Sequence, residues 1–217
     1  MPINDLKAGD NQPGVPLVRT EPVQERSSAR IDALLDAAAA VVDEIGFDRL
    51  TTAMVAERAG ASIGTVYRYF PDRIVLLQAL RDRALSRYRN LVVEKIRSTN
   101  PANWWDAVKC SIDAYVDMYK EEKGFRIVRF SDADRAANGE DARFGLFAIQ
   151  SAEILTTEFG LPDGDELRFR MQVAIEIADG LITRAFQVDP EGDHAFIDEA
   201  HVVIREYLAS SYGSVAD

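Results

Sequence analysis

Residues 51–70 read Thr51-Thr52-Ala53-Met54-Val55-Ala56-Glu57-Arg58-Ala59-Gly60-Ala61-Ser62-Ile63-Gly64-Thr65-Val66-Tyr67-Arg68-Tyr69-Phe70. Two short helices joined at Gly60 fit this stretch, since Thr51 or Thr52 can cap the first and Ser62 the second. Val55, Ala56 and Ala59 fall on one flank of the first helix. Val66 and Phe70, one turn apart, fall on one flank of the second. Ile63, Gly64, Thr65 and Arg68 are then left pointing outward. Paired short helices with a glycine turn are the helix-turn-helix pattern, in which the second helix enters the major groove.

The flanking sequence extends the helical reading in both directions. Ile31, Leu34, Leu35, Ala38, Val41, Val42 and Ile45 recur at three- and four-residue steps, so a helix is expected from Ser28 to a stop at Gly46. Pro71 ends the third helix and Asp72 can cap a long fourth, whose apolar period runs from Ile74 to about Arg97. Further helices are expected over about 103–121, 125–132, 140–159, 165–187 and 193–210, with glycine turns between them. No segment sustains period-two alternation, so the fold class is all-α, with about nine helices. Residues 1–23 carry half of the prolines and no apolar period, and are read as a disordered arm. The domain reading is 24–73 for a three-helix head and 74–217 for a larger helical domain.

Composition narrows the function classes. The net charge of -11 is unsuited to a general nucleic-acid coat and leaves room only for a local basic surface. No apolar run reaches the roughly 18 residues of a membrane span, and no secretory pattern opens the chain, so a cytoplasmic protein without a membrane partner is expected. The single cysteine, Cys110, rules out an intramolecular disulfide and reads as a core residue. His194 and His201 lack a partner spacing for a metal, no phosphate loop is present, and no nucleophile–base arrangement can be argued. No cofactor, metal or catalytic residue is therefore expected.

The outward residues of the second short helix carry DNA-binding chemistry. Free N–H groups at its start favour a phosphate, Gly64 permits close backbone approach, and Arg68 suits a guanine edge. Arg26, Arg30 and Arg73 are placed to neutralise phosphates. Residues 28–77 resemble the tetracycline-repressor (TetR) family of bacterial regulators, on the strength of Ala59 to Phe70 as quoted, followed by Arg73 and Leu76-Leu77, with Gly46-Phe47 and Thr51 upstream. The resemblance implies a three-helix DNA-binding head, a connecting fourth helix and a divergent ligand domain. It also implies phosphate contacts from Thr52, Tyr67 and Arg73, and a groove-facing set of Ile63, Gly64, Thr65 and Arg68. Arg30, Ser62 and Tyr69 complete the candidate DNA-binding residues. Arg73 stands where lysine is more usual, and Ala53 where some relatives place a base-reading side chain.

The larger domain holds most of the aromatic bulk. Trp104, Trp105, Tyr115, Met118, Tyr119, Phe130, Phe144, Phe147 and Met171 are the candidate lining of an effector pocket, although aromatics at helical spacing also simply fill cores. Over 165–187 a narrow polar stripe, Gln172, Glu176, Asp179 and Thr183, leaves the rest of the helix apolar, which requires cover on more than one side. The last helix has a similar seam. Ala178, Leu181, Ile182, Ala185, Ile197, Ala200, His201, Ile204 and Leu208 are the candidate interface of a homodimer built as a four-helix contact. The function expected is a repressor that grips a palindromic double-stranded DNA operator as a dimer and is released by a small, largely apolar effector. A regulator answering a protein partner or no ligand, and a helical enzyme acting on small apolar molecules, are the alternatives.

Overall fold

The computed structural model describes residues 21–127 and 144–214. Among them are eight α-helices, two short 3-10 turns and no strand. The first helix, α1 (Glu21–Ile45), buries Leu34, Ala38, Val41 and Val42, the flank marked out by their spacing. It begins seven residues before Ser28 and takes in part of the stretch read as an arm. Pro22 misled that reading: in a first helical turn a proline gives up no hydrogen bond and its fixed φ already suits the helix. The rest of the expected arm lies outside the described residues.

After Gly46, whose φ of +82° favours glycine, a 3-10 turn (Phe47–Arg49) leads into α2 (Thr52–Arg58). The Thr51 hydroxyl caps α2, accepting from the Met54 N–H at 3.3 Å. Gly60, at φ +58°, makes the turn to α3 (Ile63–Tyr69). Ser62 caps α3, its hydroxyl oxygen accepting from the Thr65 N–H at 3.1 Å. Asp72 starts α4 (Arg73–Thr99) by accepting from the Val75 N–H at 2.9 Å. Val55, Ala56, Val66 and Phe70 are all buried, and α2 packs on both α1 and α3. Burying a valine or phenylalanine side chain stabilises by about 1.5–3 kcal/mol.

The remaining helices are α5 (Trp104–Glu121), α6 (Leu146–Phe159), α7 (Asp165–Val188) and α8 (His194–Tyr212). Asn103 caps α5 and Asp193 caps α8, while Gly160 closes α6 in the left-handed conformation. Where a helix over 125–132 was expected there is a 3-10 turn, Phe125–Ile127, and the rest of that span lies outside the described residues; of the helix expected from 140, residues 140–143 lie outside them, and Phe144 and Gly145 are not helical, since α6 starts at Leu146 with Gly145 at its N-cap.

The chain divides into two compact units, and the division falls inside α4, between 85 and 86, rather than at the expected 73. The first unit contains the described residues up to 85 together with 122–127; the second contains 86–121 and the described residues from 144 onward. Segment 122–127 is a piece of the chain beyond α5 that folds onto α1. The Gly124 N–H donates to Asp43 Oδ1 at 2.8 Å. Gly124 has φ +75°, and a Cβ there would stand 2.9 Å from the Ala39 Cα, so both backbone angle and space demand glycine.

Candidate functional site

In the first unit, the helix that buries Val66 and Phe70 turns a distinct set outward. Ile63 and Tyr67 are 48% and 49% exposed, unusual for large apolar side chains, and Ser62, Gly64 and Arg68 are exposed beside them. Arg68 and Arg30 make no hydrogen bond or ion pair among the described residues, whereas Arg58 is held by Glu44 at 2.5 and 2.8 Å. The hydrogen bond to Arg58 holds the Glu44 carboxyl below its ordinary pKa range and raises that of Arg58. The Thr65 hydroxyl is 2.9 Å from the Ser62 hydroxyl and is only partly exposed, as is Tyr69.

Two of the residues expected on phosphates are engaged elsewhere. Thr52 is buried, and its hydroxyl donates to the Tyr67 phenol oxygen at 3.3 Å. This bond leaves the Tyr67 proton free to turn outward. Arg73 is partly buried and donates to the Phe47 carbonyl at 2.6 Å, which ties the start of α4 to the turn after α1. Its Nε is buried without a partner among the described residues.

The second unit holds a half-open cavity of about 60 Å³ between α4, α5, α6, α7 and α8. Of the expected lining residues, Tyr115, Phe147 and Met171 are on its wall. Trp104, Trp105, Met118 and Tyr119 are buried but belong to the surrounding core, Phe144 is not on the wall, and Phe130 lies outside the described residues. Much of the wall is aliphatic, and α4 contributes Tyr88, Val92 and Ile96, which sequence reasoning had left in a connecting helix. The rings of Tyr88, Tyr115 and Phe147 form an aromatic corner, with Tyr88 5.8 Å from Tyr115 and 5.3 Å from Phe147. Tyr88 donates to the Ser111 carbonyl at 3.1 Å, and burial pushes its phenol pKa far above the ordinary range.

The later half of the α7 polar stripe, Asp179 and Thr183, turns inward to α5. Tyr115 donates to Asp179 Oδ1 at 2.6 Å, and the Tyr119 and Thr183 hydroxyls are 2.8 Å apart. Burial first, then Tyr119 and Asp179, raise the Tyr115 pKa. Buried polar groups require such partners. Gln172 reaches the Gly145 N–H, and Glu176 accepts from Gln172.

The candidate interface set requires correction. Ile182, Ala185, Ile197, Ala200, Ile204 and Leu208 are buried within the chain itself, between 0% and 7% exposed, so a second copy cannot reach them without unfolding. Ala178 lines the cavity, and His201 faces the Ile197 carbonyl through Nδ1 and Asp113 Oδ1 through Nε2, both at 2.9 Å. Only Leu181 borders the outward stripe of α7, formed by Phe169, Val173, Ile177, Gly180, Arg184 and Val188. An all-round apolar helix has two apolar flanks, and periodicity does not say which one its own domain takes.

Among the described residues no group of acidic, histidine and cysteine side chains could hold a metal, and no helix is long and apolar enough to cross a membrane. Residues 34–80 match the family model described as bacterial regulatory proteins, tetR family, and residues 102–212, more than half of the chain, match the tetracyclin repressor-like C-terminal domain. The chain is 35% identical over 71 residues to the HTH-type transcriptional repressor KstR of Mycobacterium tuberculosis, covering 33% of this chain and 32% of that protein. It is 33% identical over 84 residues to the HTH-type transcriptional regulator BetI of Klebsiella pneumoniae, covering 39% and 40%. These matches thus span only about a third to two fifths of those curated relatives' length. A TetR-family transcriptional regulator from Streptomyces coelicolor has a similar solved structure, with TM-score 0.71 and 35% identity over 83% of this chain and 98% of that one. The two domain matches and this full-length likeness carry one conclusion: the chain belongs to the TetR family of transcriptional regulators.

Proposed function

We propose that this protein is a ligand-controlled repressor that binds a palindromic DNA operator as a homodimer and works in the cytoplasm. The observation that carries the DNA reading is the outward flank of α3, where Ile63, Tyr67 and Arg68, which has no ion pair among the described residues, stand exposed over a buried Val66 and Phe70. Arg68 suits a guanine edge, Ile63 a thymine methyl, and the Tyr67 hydroxyl a phosphate. A dimer would set two such helices about 34–36 Å apart, one turn of duplex. The outward stripe of α7, together with exposed Val202 on α8, supports self-association through these two helices.

The cavity supports an effector. At about 60 Å³ it is smaller than the roughly 150 Å³ that holds a benzene ring, so a guest held wholly within it displaces part of the wall. Tyr88, Val92 and Ile96 of α4 are in that wall. A guest that favours a shifted α4 would change the spacing of the heads, by no more than its affinity difference between the two states.

The test is fluorescence anisotropy on a palindromic duplex selected from a random pool, at one fixed salt concentration. Tyr67→Ala combined with Arg68→Ala should lower affinity for the selected site by at least about tenfold. Unchanged affinity for every sequence would remove α3 from the interface. Ile177→Glu should give a monomer by light scattering; a persistent dimer would move the contact off α7.

A further inference from the structure

We infer that Ser111 and Ser151 set the specificity of the cavity, selecting an apolar guest with a single uncharged hydrogen-bonding group that these two hydroxyls meet. The inference rests on the effector reading above and names the residues that discriminate among guests. Four side chains of the wall carry a hydroxyl: Tyr88, Ser111, Tyr115 and Ser151. The two phenols are committed within the chain. Tyr88 donates to the Ser111 carbonyl, and the Tyr115 hydroxyl is bonded to both Asp179 and Tyr119. What they bring to a guest is ring surface. The serines differ: both are partly exposed, and neither hydroxyl makes a hydrogen bond among the described residues. A hydroxyl within a helix commonly turns back to a carbonyl of the preceding turn. Thr99 and Thr157 do so, bonding the Lys95 and Glu153 carbonyls at 2.7 and 2.8 Å. Ser111 and Ser151 make no such bond, although they too lie inside helices, α5 and α6. Their hydrogen-bonding capacity is left for something else at the wall they line.

A serine hydroxyl gives one proton and also accepts, so the pair can meet a guest hydroxyl, carbonyl or ether. A guest with several polar groups would set the others against side chains such as Val92, Ile112 and Ile175, where they lose water without replacement. Among the described residues the wall contains no Asp, Glu, Lys, Arg or His. A carboxylate or an ammonium held there meets no opposite charge, and burying an unpaired charge is heavily unfavourable. With alanine at both positions the wall would keep only the committed phenols, and the cavity would favour plain hydrocarbons.

Isothermal titration of the full chain with benzyl alcohol, ethylbenzene and benzoate tests this, since the three share one ring and differ in the group it carries. Ser111→Ala and Ser151→Ala are compared singly with the parent; alanine is the better helix former, so neither change endangers its helix. Each should weaken benzyl alcohol binding by about 2- to 12-fold, one neutral hydrogen bond's worth, and leave ethylbenzene binding unchanged or tighter. Benzoate should bind the parent at least about tenfold more weakly than benzyl alcohol. Equal losses for alcohol and hydrocarbon, no loss in either variant, benzoate binding as tight as the alcohol's, or no binding of benzyl alcohol would each overturn the inference. A loss in one variant alone upholds that serine and overturns the other. Anisotropy on the selected duplex separates this from the effector reading. Serine-dependent binding of benzyl alcohol that leaves DNA affinity unchanged upholds the specificity pair and removes the effector role. DNA release by benzyl alcohol that is identical in the parent and both variants upholds the effector role and removes the specificity pair.

Discussion

Gly64 offers a clean separation between what the fold needs and what DNA binding needs. It is the second residue of α3, it is exposed, and its φ is not in the left-handed region. A Cβ built there meets only the Ser62 Oγ, at 3.9 Å, an ordinary van der Waals contact. Nothing among the described residues therefore requires glycine at this position. Alanine is favoured over glycine in helices by about 0.5–1 kcal/mol, and a first-turn site takes the lower end. Gly64→Ala should accordingly raise unfolding stability by about 0.5 kcal/mol, read as a small upward shift in urea midpoint at constant slope.

The reason for glycine then has to be external. If the backbone at Gly64 lies against a groove wall, an added methyl group overfills a fitted surface, at about 1–3 kcal/mol per half-site. That is about 5- to 150-fold in affinity for one half-site, with the second half-site of a dimer adding to it. Anisotropy on the selected duplex at fixed salt reads the loss, and urea titration of the same sample reads the gain. Raised stability with unchanged DNA affinity would refute close approach of this turn to the duplex. Lowered stability would refute the account of free space around Gly64.

Other perturbations probe the two units. Gly124→Ala places a Cβ 2.9 Å from the Ala39 Cα at a φ of +75°; left-handed φ alone costs about 1–2 kcal/mol, so the first unit should lose at least that much, measured by amide exchange along α1. Tyr115→Phe removes the donor to buried Asp179 and should cost about 1.5–3 kcal/mol in urea unfolding; a loss under about 0.5 kcal/mol would mean that the carboxyl finds another donor. Burial raises the Asp113 pKa, but hydrogen bonds from His201 and Lys109 outweigh it and leave the carboxyl below its ordinary value. Its stabilising contribution is therefore complete above the ordinary carboxylate pKa of about 4 and fades as pH falls through the lower folded value. Asp113→Asn should flatten stability against pH below about 4, and an acid limb identical to that of the parent would contradict the assignment.

The head was legible because its signals are local. Thr51, Ser62 and Asp72 are capping residues next to the helices they start, and Val66 and Phe70 lie one turn apart on a helix with only one apolar flank. Helix positions in the larger unit were legible for the same reason. The cavity was not, because its wall is drawn from five helices and depends on where side chains leave space. Choosing large aromatics and methionines took in Tyr115, Phe147 and Met171, which are on this wall, but passed over Val92, Ser111 and Ile175, whose small or aliphatic side chains also line the space. The role of Thr52 was hidden as well. The family resemblance implies a phosphate contact, and only the fold brings its hydroxyl to Tyr67, fifteen residues away.

Two lengths of chain lead from the cavity wall toward the head unit, and they differ in kind. Along α4, the helix that supplies Tyr88, Val92 and Ile96 to the wall also supplies Leu76 and Leu80 to the core of the first unit. Along α5, Ser111, Ile112 and Tyr115 are in the wall, and the same helix runs directly into segment 122–127, which is bonded to α1 through Gly124 and Asp43. A helix transmits displacement because its hydrogen bonds make it stiff. The second connection transmits it only while Gly124 stays seated on Ala39, at a contact too close for any other residue. A guest that needs more than 60 Å³ must move side chains on these helices to enter, and close-packed interiors absorb little volume change without shifting their neighbours. A wall that must yield to hold a larger guest is thus built from helices that also belong to the first unit or lead into it.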